Sequence, residues 1–157
     1  MKAKQFIIFF FVLTTLTSCA ITPKATITPL EIQGLQSREY KEKKEVVFRS
    51  IISVLQDLGY AIKNADIHTG LISAESAARS DSISKLFGVN KVSQTMVTAF
   101  IEQIGTKTKA RLSFVDVVNA SSTYGQTDRQ DTPILDAKLY ENAFGKIDNA
   151  IFIRNTN

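Results

Sequence analysis

Between Lys41 and Leu58 the apolar residues Val47, Ile51, Val54, Leu55 and Leu58 recur at i, i+4, i+7, i+8 and i+11, and Phe48 and Ile52 widen the stripe. This is the repeat of one helix face. Lys43, Lys44, Glu45, Arg49 and Asp57 fill the flanks, and Gly59 stands where a left-handed residue closes a helix. A helix with one apolar stripe needs a second layer to bury it. Near the carboxyl end Tyr140, Phe144, Ile147 and Ile151 fall at 0, +4, +7 and +11, with Ala137 one turn earlier. Pro133, behind Asp131 and Thr132, is the expected start of that second helix. Gly145 weakens it by about 1 kcal/mol relative to Ala without ending it.

The sequence between the two stripes reads as strands. Glu31–Tyr40 is expected to open the domain as a strand, through a weak alternation at Ile32 and Leu35. Tyr60-Ala61-Ile62 begins another, Asp66–Gly70 is a turn, and Leu71–Glu75 continues in extended form. Residues 76–92 are expected to be an excursion or loop, with one amphipathic turn at Ser82–Phe87, because about 17 residues exceed the usual connection. Thr95–Ile101 is rich in β-branched and aromatic residues. After a turn at Gly105–Thr108, Ala110, Leu112 and Phe114 alternate with Lys109, Arg111 and Ser113, one buried and one solvated face. Val115 and Val117 break that alternation, which predicts a bulge or a change of covering layer. Ser121–Gly125 reads as a hairpin turn before a polar edge strand near Gln126–Gln130. The expected fold is α+β, a two-layer sandwich with both helices on one face of an antiparallel sheet in the order β-α-β-β-β-β-α.

The first residues belong to a different argument. Lys2 and Lys4 precede the unbroken apolar run Phe6–Leu13, and small and polar residues follow as far as Ala20. That is the anatomy of a secretory signal peptide. The uncharged stretch from Phe6 to Ile21 is 16 residues, short of the roughly 20 apolar residues of a membrane span. Leu16-Thr17-Ser18-Cys19 resembles the lipobox of bacterial lipoproteins. The resemblance implies cleavage between Ser18 and Cys19, diacylglycerol in thioether linkage on Cys19, and acylation of the new amino group. Several acyl chains hold a protein stably at about 0.8 kcal/mol per buried methylene, where one chain holds it only marginally. Ala20, in place of Asp, implies by the same resemblance an outer-membrane destination. The expected organisation is a signal peptide at 1–18, a lipidated tether at 19–30 containing Pro23 and Pro29, and an α+β domain at 31–157. Removing Lys2 and Lys4 leaves 17 basic against 15 acidic side chains, so net charge supplies little attraction for nucleic acid.

Gln36-Ser37-Arg38-Glu39-Tyr40, Leu55–Ile62, Ala65-Asp66, Gly70–Ala74 and Leu139-Tyr140 with Ala143–Ile147 carry a family likeness. In these segments the chain resembles small bacterial lipoproteins with a helix-grip (TATA-binding-protein-like) domain. That group includes the C-subunit lipoprotein of the outer-membrane β-barrel assembly machinery. The likeness spans about residues 31–153 and rests mostly on packing positions.

Chemistry-bearing residues are few. One Cys and one His exclude an internal disulfide and a zinc site built only from those ligands. Ser82-Ile83-Ser84-Lys85 matches the S-x-x-K pattern of penicillin-binding proteins, but the partner motifs Ser-Asp-Asn and Lys-Thr-Gly are missing. His68 beside Asp66 is expected to make local turn hydrogen bonds rather than a base and its orienter. Asp57, Asp66, Asp128, Asp131 and Asp136 lack calcium-loop spacing. Lys107, Lys109 and Arg111 share a strand face that could meet anionic groups but reads first as solvated sheet. Asn119-Ala120-Ser121 fits a glycosylation sequon that carries little meaning in a bacterial lipoprotein.

The functional expectation is therefore a non-enzymatic interaction or assembly-accessory module. It has no cofactor, is lipid-anchored at Cys19 and faces the periplasm. Its expected partners are the membrane, through that lipid, and envelope proteins or peptidoglycan, with no nucleic acid. The alternative is a small envelope hydrolase or peptidoglycan-associated accessory enzyme using Ser82 and Lys85 or His68.

Overall fold

The computed structural model of the chain describes residues 28–86 and 88–156. Its elements run α1 Pro29–Gln36, β1 Ser37–Tyr40, α2 Lys44–Asp57, β2 Ala61–Asp66, β3 Leu71–Glu75, β4 Arg79–Asp81, α3 Ser82–Leu86, β5 Val89–Ile104, β6 Lys107–Ser122, β7 Thr127–Pro133 and α4 Ala137–Thr156. The strands form one antiparallel sheet in the order β1-β6-β5-β3-β2, with β4 added to β5 and β7 to β6. Along the main path, β1-α2-β2-β3-β5-β6-α4, the expected two-layer α+β order holds.

Ile72, Ala74, Val97, Ala99, Ile101, Ala110, Leu112 and Phe114 occupy one sheet face in register, and all are buried. Val47, Phe48, Ile51, Val54 and Leu55 of α2 and Tyr140, Ala143, Phe144, Ile147 and Ile151 of α4 complete the same core. The Tyr140 ring meets Phe114 edge-on at 5.2 Å. Arg38, on the core side of β1, lies 4.8 Å over the Phe144 ring and binds Asp148 at 2.7 Å. The Gly59 N–H donates to the Gln56 carbonyl and the Tyr60 N–H to Leu55, closing α2 with the expected left-handed glycine.

Several expectations need correction. The strand expected at Glu31–Tyr40 is a helix as far as Gln36 and a strand only from Ser37. Thr28 and Glu31 form a reciprocal capping box with Pro29 in the first turn, and these local contacts outweigh the weak alternation of Ile32 and Leu35. Pro29 and Leu30 are the first residues of that helix, with Thr28 as its cap. Pro133 does not start the last helix. It ends β7 opposite Val115, and Asp136 caps α4 instead, its carboxylate accepting from the Lys138 N–H at 2.9 Å. Ala137 is accordingly exposed. The excursion at 76–92 contains β4, the short helix α3 and the first four residues of β5.

The β5–β6 pair is 16 residues long and shows no register shift, so Val115 and Val117 mark a change of cover and not a bulge. Val117 is buried outside the main core, flanked across the ladder by Gln94 and Asp131. The irregularity lies instead in edge strand β2, between Ile62 and Asn64. Gly70 is required: its φ is +77°, and a Cβ there would stand 1.9 Å from the Ile101 carbonyl oxygen.

Candidate functional site

β1 pairs with β6 from Thr108 to Arg111, and β7 takes up the same edge only from Val115. The backbone of β6 between them needs other partners. The Phe114 N–H donates to the Tyr140 hydroxyl at 3.3 Å, and the Ile134 N–H donates to the Phe114 carbonyl at 2.9 Å. Gln36, buried at the end of α1, donates to the same Tyr140 hydroxyl at 3.4 Å. Its carbonyl oxygen accepts from Arg111 at 2.9 Å. A polar seam thus runs from the core out to the sheet face that no helix covers.

On that open face Arg111 lies beside Ser37 and Phe100, and Lys109 lies between Glu39 and Glu102. Gln33 and Gly34 of α1 with Ser37, Phe100, Glu102, Lys109 and Arg111 bound a cleft of about 420 Å³. Phe100, 43% exposed, lies within it, and its neighbour Leu71 is also exposed. Glu39 is taken up by Lys107 at 2.8 Å, which holds the carboxyl below its ordinary range and the ammonium above its own. Lys109 and Glu102 sit directly opposite one another, yet no ion pair within 4 Å joins them among the described residues. The cleft therefore presents an aromatic floor with both signs of charge available at its rim.

The residues singled out from sequence fare unequally. Ser18 and Cys19 lie outside the described residues. Ser82 and Lys85 stand exposed on a five-residue helix with no hydrogen bond between them, while Ser84 donates to Asp81 at 2.6 Å. The Asp66 carboxylate accepts from the His68 backbone N–H at 2.8 Å and from the Thr69 hydroxyl at 3.1 Å. The His68 N–H bond leads in holding that carboxyl below its usual range. The pair is a turn built as expected, and the His68 carbonyl also accepts from Lys44 at 3.1 Å. Lys109 and Arg111 do meet in the open-face cleft, whereas Lys107 is spent on Glu39. Asp57, Asp66, Asp128, Asp131 and Asp136 stay apart, and no group of three metal-ligating side chains occurs among the described residues. No described helix is long and apolar enough to cross a membrane.

Sequence reasoning missed Gln36, Phe100 and Glu102 as parts of one place. They come from two elements, α1 and β5, and only the register of β5 on β6 and the helical turn before β1 bring them together. No protein-family model matches the chain, and no curated protein matches it either.

Proposed function

We propose that this chain is a lipid-anchored envelope lipoprotein, attached through Cys19 to the outer membrane and facing the periplasm, where it acts as a non-enzymatic interaction or assembly-accessory module. The leader and Leu16-Thr17-Ser18-Cys19 support the placement. The helix-grip likeness fits the element order, and the eight residues between Cys19 and Thr28, nine chain steps, limit the domain's reach to roughly 30 Å from the anchor. The observation that carries the interaction role is the open-face cleft: Phe100 at its floor, Arg111 steadied by Gln36, and Lys109 and Glu102 not closed on each other. An apolar centre with a polar rim is the anatomy of a recognition surface.

Intact mass of membrane-extracted protein tests the placement, with loss of residues 1–18 and added lipid on Cys19 expected. A photo-crosslinker at Ser37 tests the role, with an adduct to an envelope component expected that Phe100→Ala abolishes. A chain that retains Met1 and partitions into buffer without detergent overturns the reading.

A further inference from the structure

The helices cover β5 and β6 only as far as Val97 and Phe114, yet the two strands continue in register to Val89 and Ser122, joined by β4 and β7. On the side turned away from the helices, transverse rows cross β5, β6 and β7. One is Asn90–Ser121–Thr127, the next Val92–Asn119–Arg129, and the third Gln94–Val117–Asp131. Consecutive rows are about 6.7 Å apart, two strand residues. The first two, with Ala120 and Asp128 between them along β6 and β7, bound a trough of about 320 Å³.

Arg129 is oriented without being fully consumed, and the side chains of Asn90, Asn119 and Thr127 are uncommitted. Arg129 binds both Asp131 oxygens, through Nε at 2.9 Å and Nη2 at 3.0 Å, with Met96 Sδ 3.9 Å from Nη2. That fork fixes the guanidinium plane and leaves the Nη1 hydrogens for a ligand. The side chains of Asn90, Asn119 and Thr127 make no hydrogen bond among the described residues. Because Asp131 neutralises Arg129, these rows have no surplus of positive charge to hold a phosphate. They offer paired amide donors and acceptors, hydroxyls and one apolar patch at Val92. An acetamido group uses that whole set: an Asn amide donates to its carbonyl and accepts from its N–H, and Val92 meets its methyl. Tyr124, 95% exposed, sits in the turn just beyond the first row.

We propose that this trough binds a glycan strand of N-acetylated amino sugars, the chemistry of the cell-wall polymer. The source of the strand rests on the envelope placement proposed above, while the recognition chemistry does not. The test is retention of the purified full chain on chitin, on peptidoglycan sacculi and on cellulose, which lacks acetamido groups. Retention on chitin and sacculi, and not on cellulose, is expected, with little change on chitin between about 0.1 and 0.5 M salt because that polymer is neutral. Asn119→Ala with Arg129→Ala, both exposed, should cut retention about tenfold or more at an unchanged unfolding midpoint. Equal retention on cellulose, release from chitin by salt, or an unaffected double variant overturns the proposal. Binding to chitin by a chain shown to carry no lipid would defeat the envelope placement alone. A lipidated chain that ignores both acetylated polymers would defeat the trough alone.

Discussion

Removing one hydroxyl from Tyr140 and one from Tyr40 should have opposite outcomes, although both phenols are buried on the same core. In Tyr140→Phe the ring and its edge-on contact with Phe114 remain, but the Phe114 N–H loses its acceptor. That amide lies on a fully buried residue in the gap between β1 and β7, where no strand supplies a substitute. An orphaned buried donor costs about 1–3 kcal/mol. The 3.3 Å bond is a long one, and Gln36 keeps Arg111 while losing its second partner, so a loss of about 2 kcal/mol is expected. At this chain length that lowers Tm by about 4–8 °C. The Tyr40 hydroxyl, in contrast, has no partner within hydrogen-bond geometry, and the nearby Asp148 acts on it mainly through its charge. Tyr40→Phe should therefore be neutral or stabilising by up to about 1 kcal/mol. Urea unfolding monitored by circular dichroism measures both, with unchanged m-values required. Equal costs for the two variants, or a Tyr140→Phe midpoint at the wild-type value, would refute the account of the edge gap.

Burial first, and then the charge of Asp148, holds the Tyr40 phenol protonated well beyond the ordinary range, and burial pushes Tyr60 the same way. Above about pH 10 the unfolded chain releases protons that the native state keeps, so stability should fall as pH rises through that point. Tyr40→Phe should flatten the alkaline slope, and an unaltered slope counts against the assignment. Gly70→Ala should cost about 3 kcal/mol or more, because the new methyl would collide with the Ile101 carbonyl. Gly59→Ala, also at positive φ but facing open space, should cost only about 1–2 kcal/mol, and equal melts would refute the contrast. Gln103→Ala should cost about 1 kcal/mol and speed exchange of the Lys44 amide, since Gln103 Oε1 caps α2 at 3.2 Å where Lys43 offers no cap. Unchanged exchange at Lys44 would remove Gln103 from that role.

The two helix stripes, the Gly59 stop, the β2–β3 turn and the alternation of Ala110, Leu112 and Phe114 were all legible because each is a local periodicity or a local backbone demand. The order of elements followed from them, and with it the side of the sheet that had to be covered. Where local signals competed, the reading slipped. Thr28 and Glu31 turned an expected strand into α1, and the pairing of Pro133 with Val115 delayed α4 until Asp136 could cap it. The motif-like pairs Asp66–His68 and Ser82–Lys85 were visible in sequence because they are close in sequence, and the fold spends the first on a turn and leaves the second unjoined.

The open-face cleft and the outer trough are of another kind. Gln36, Phe100 and Arg111, like Asn90, Asn119 and Arg129, are far apart along the chain and carry no spacing that a window of residues can detect. Sequence alone determined which faces must be apolar, because that requirement repeats with the helix or strand. Tertiary structure decided which polar groups meet, because strand register is set by the sum of pairings along whole ladders, and a shift of one residue would send every one of these side chains to the opposite face.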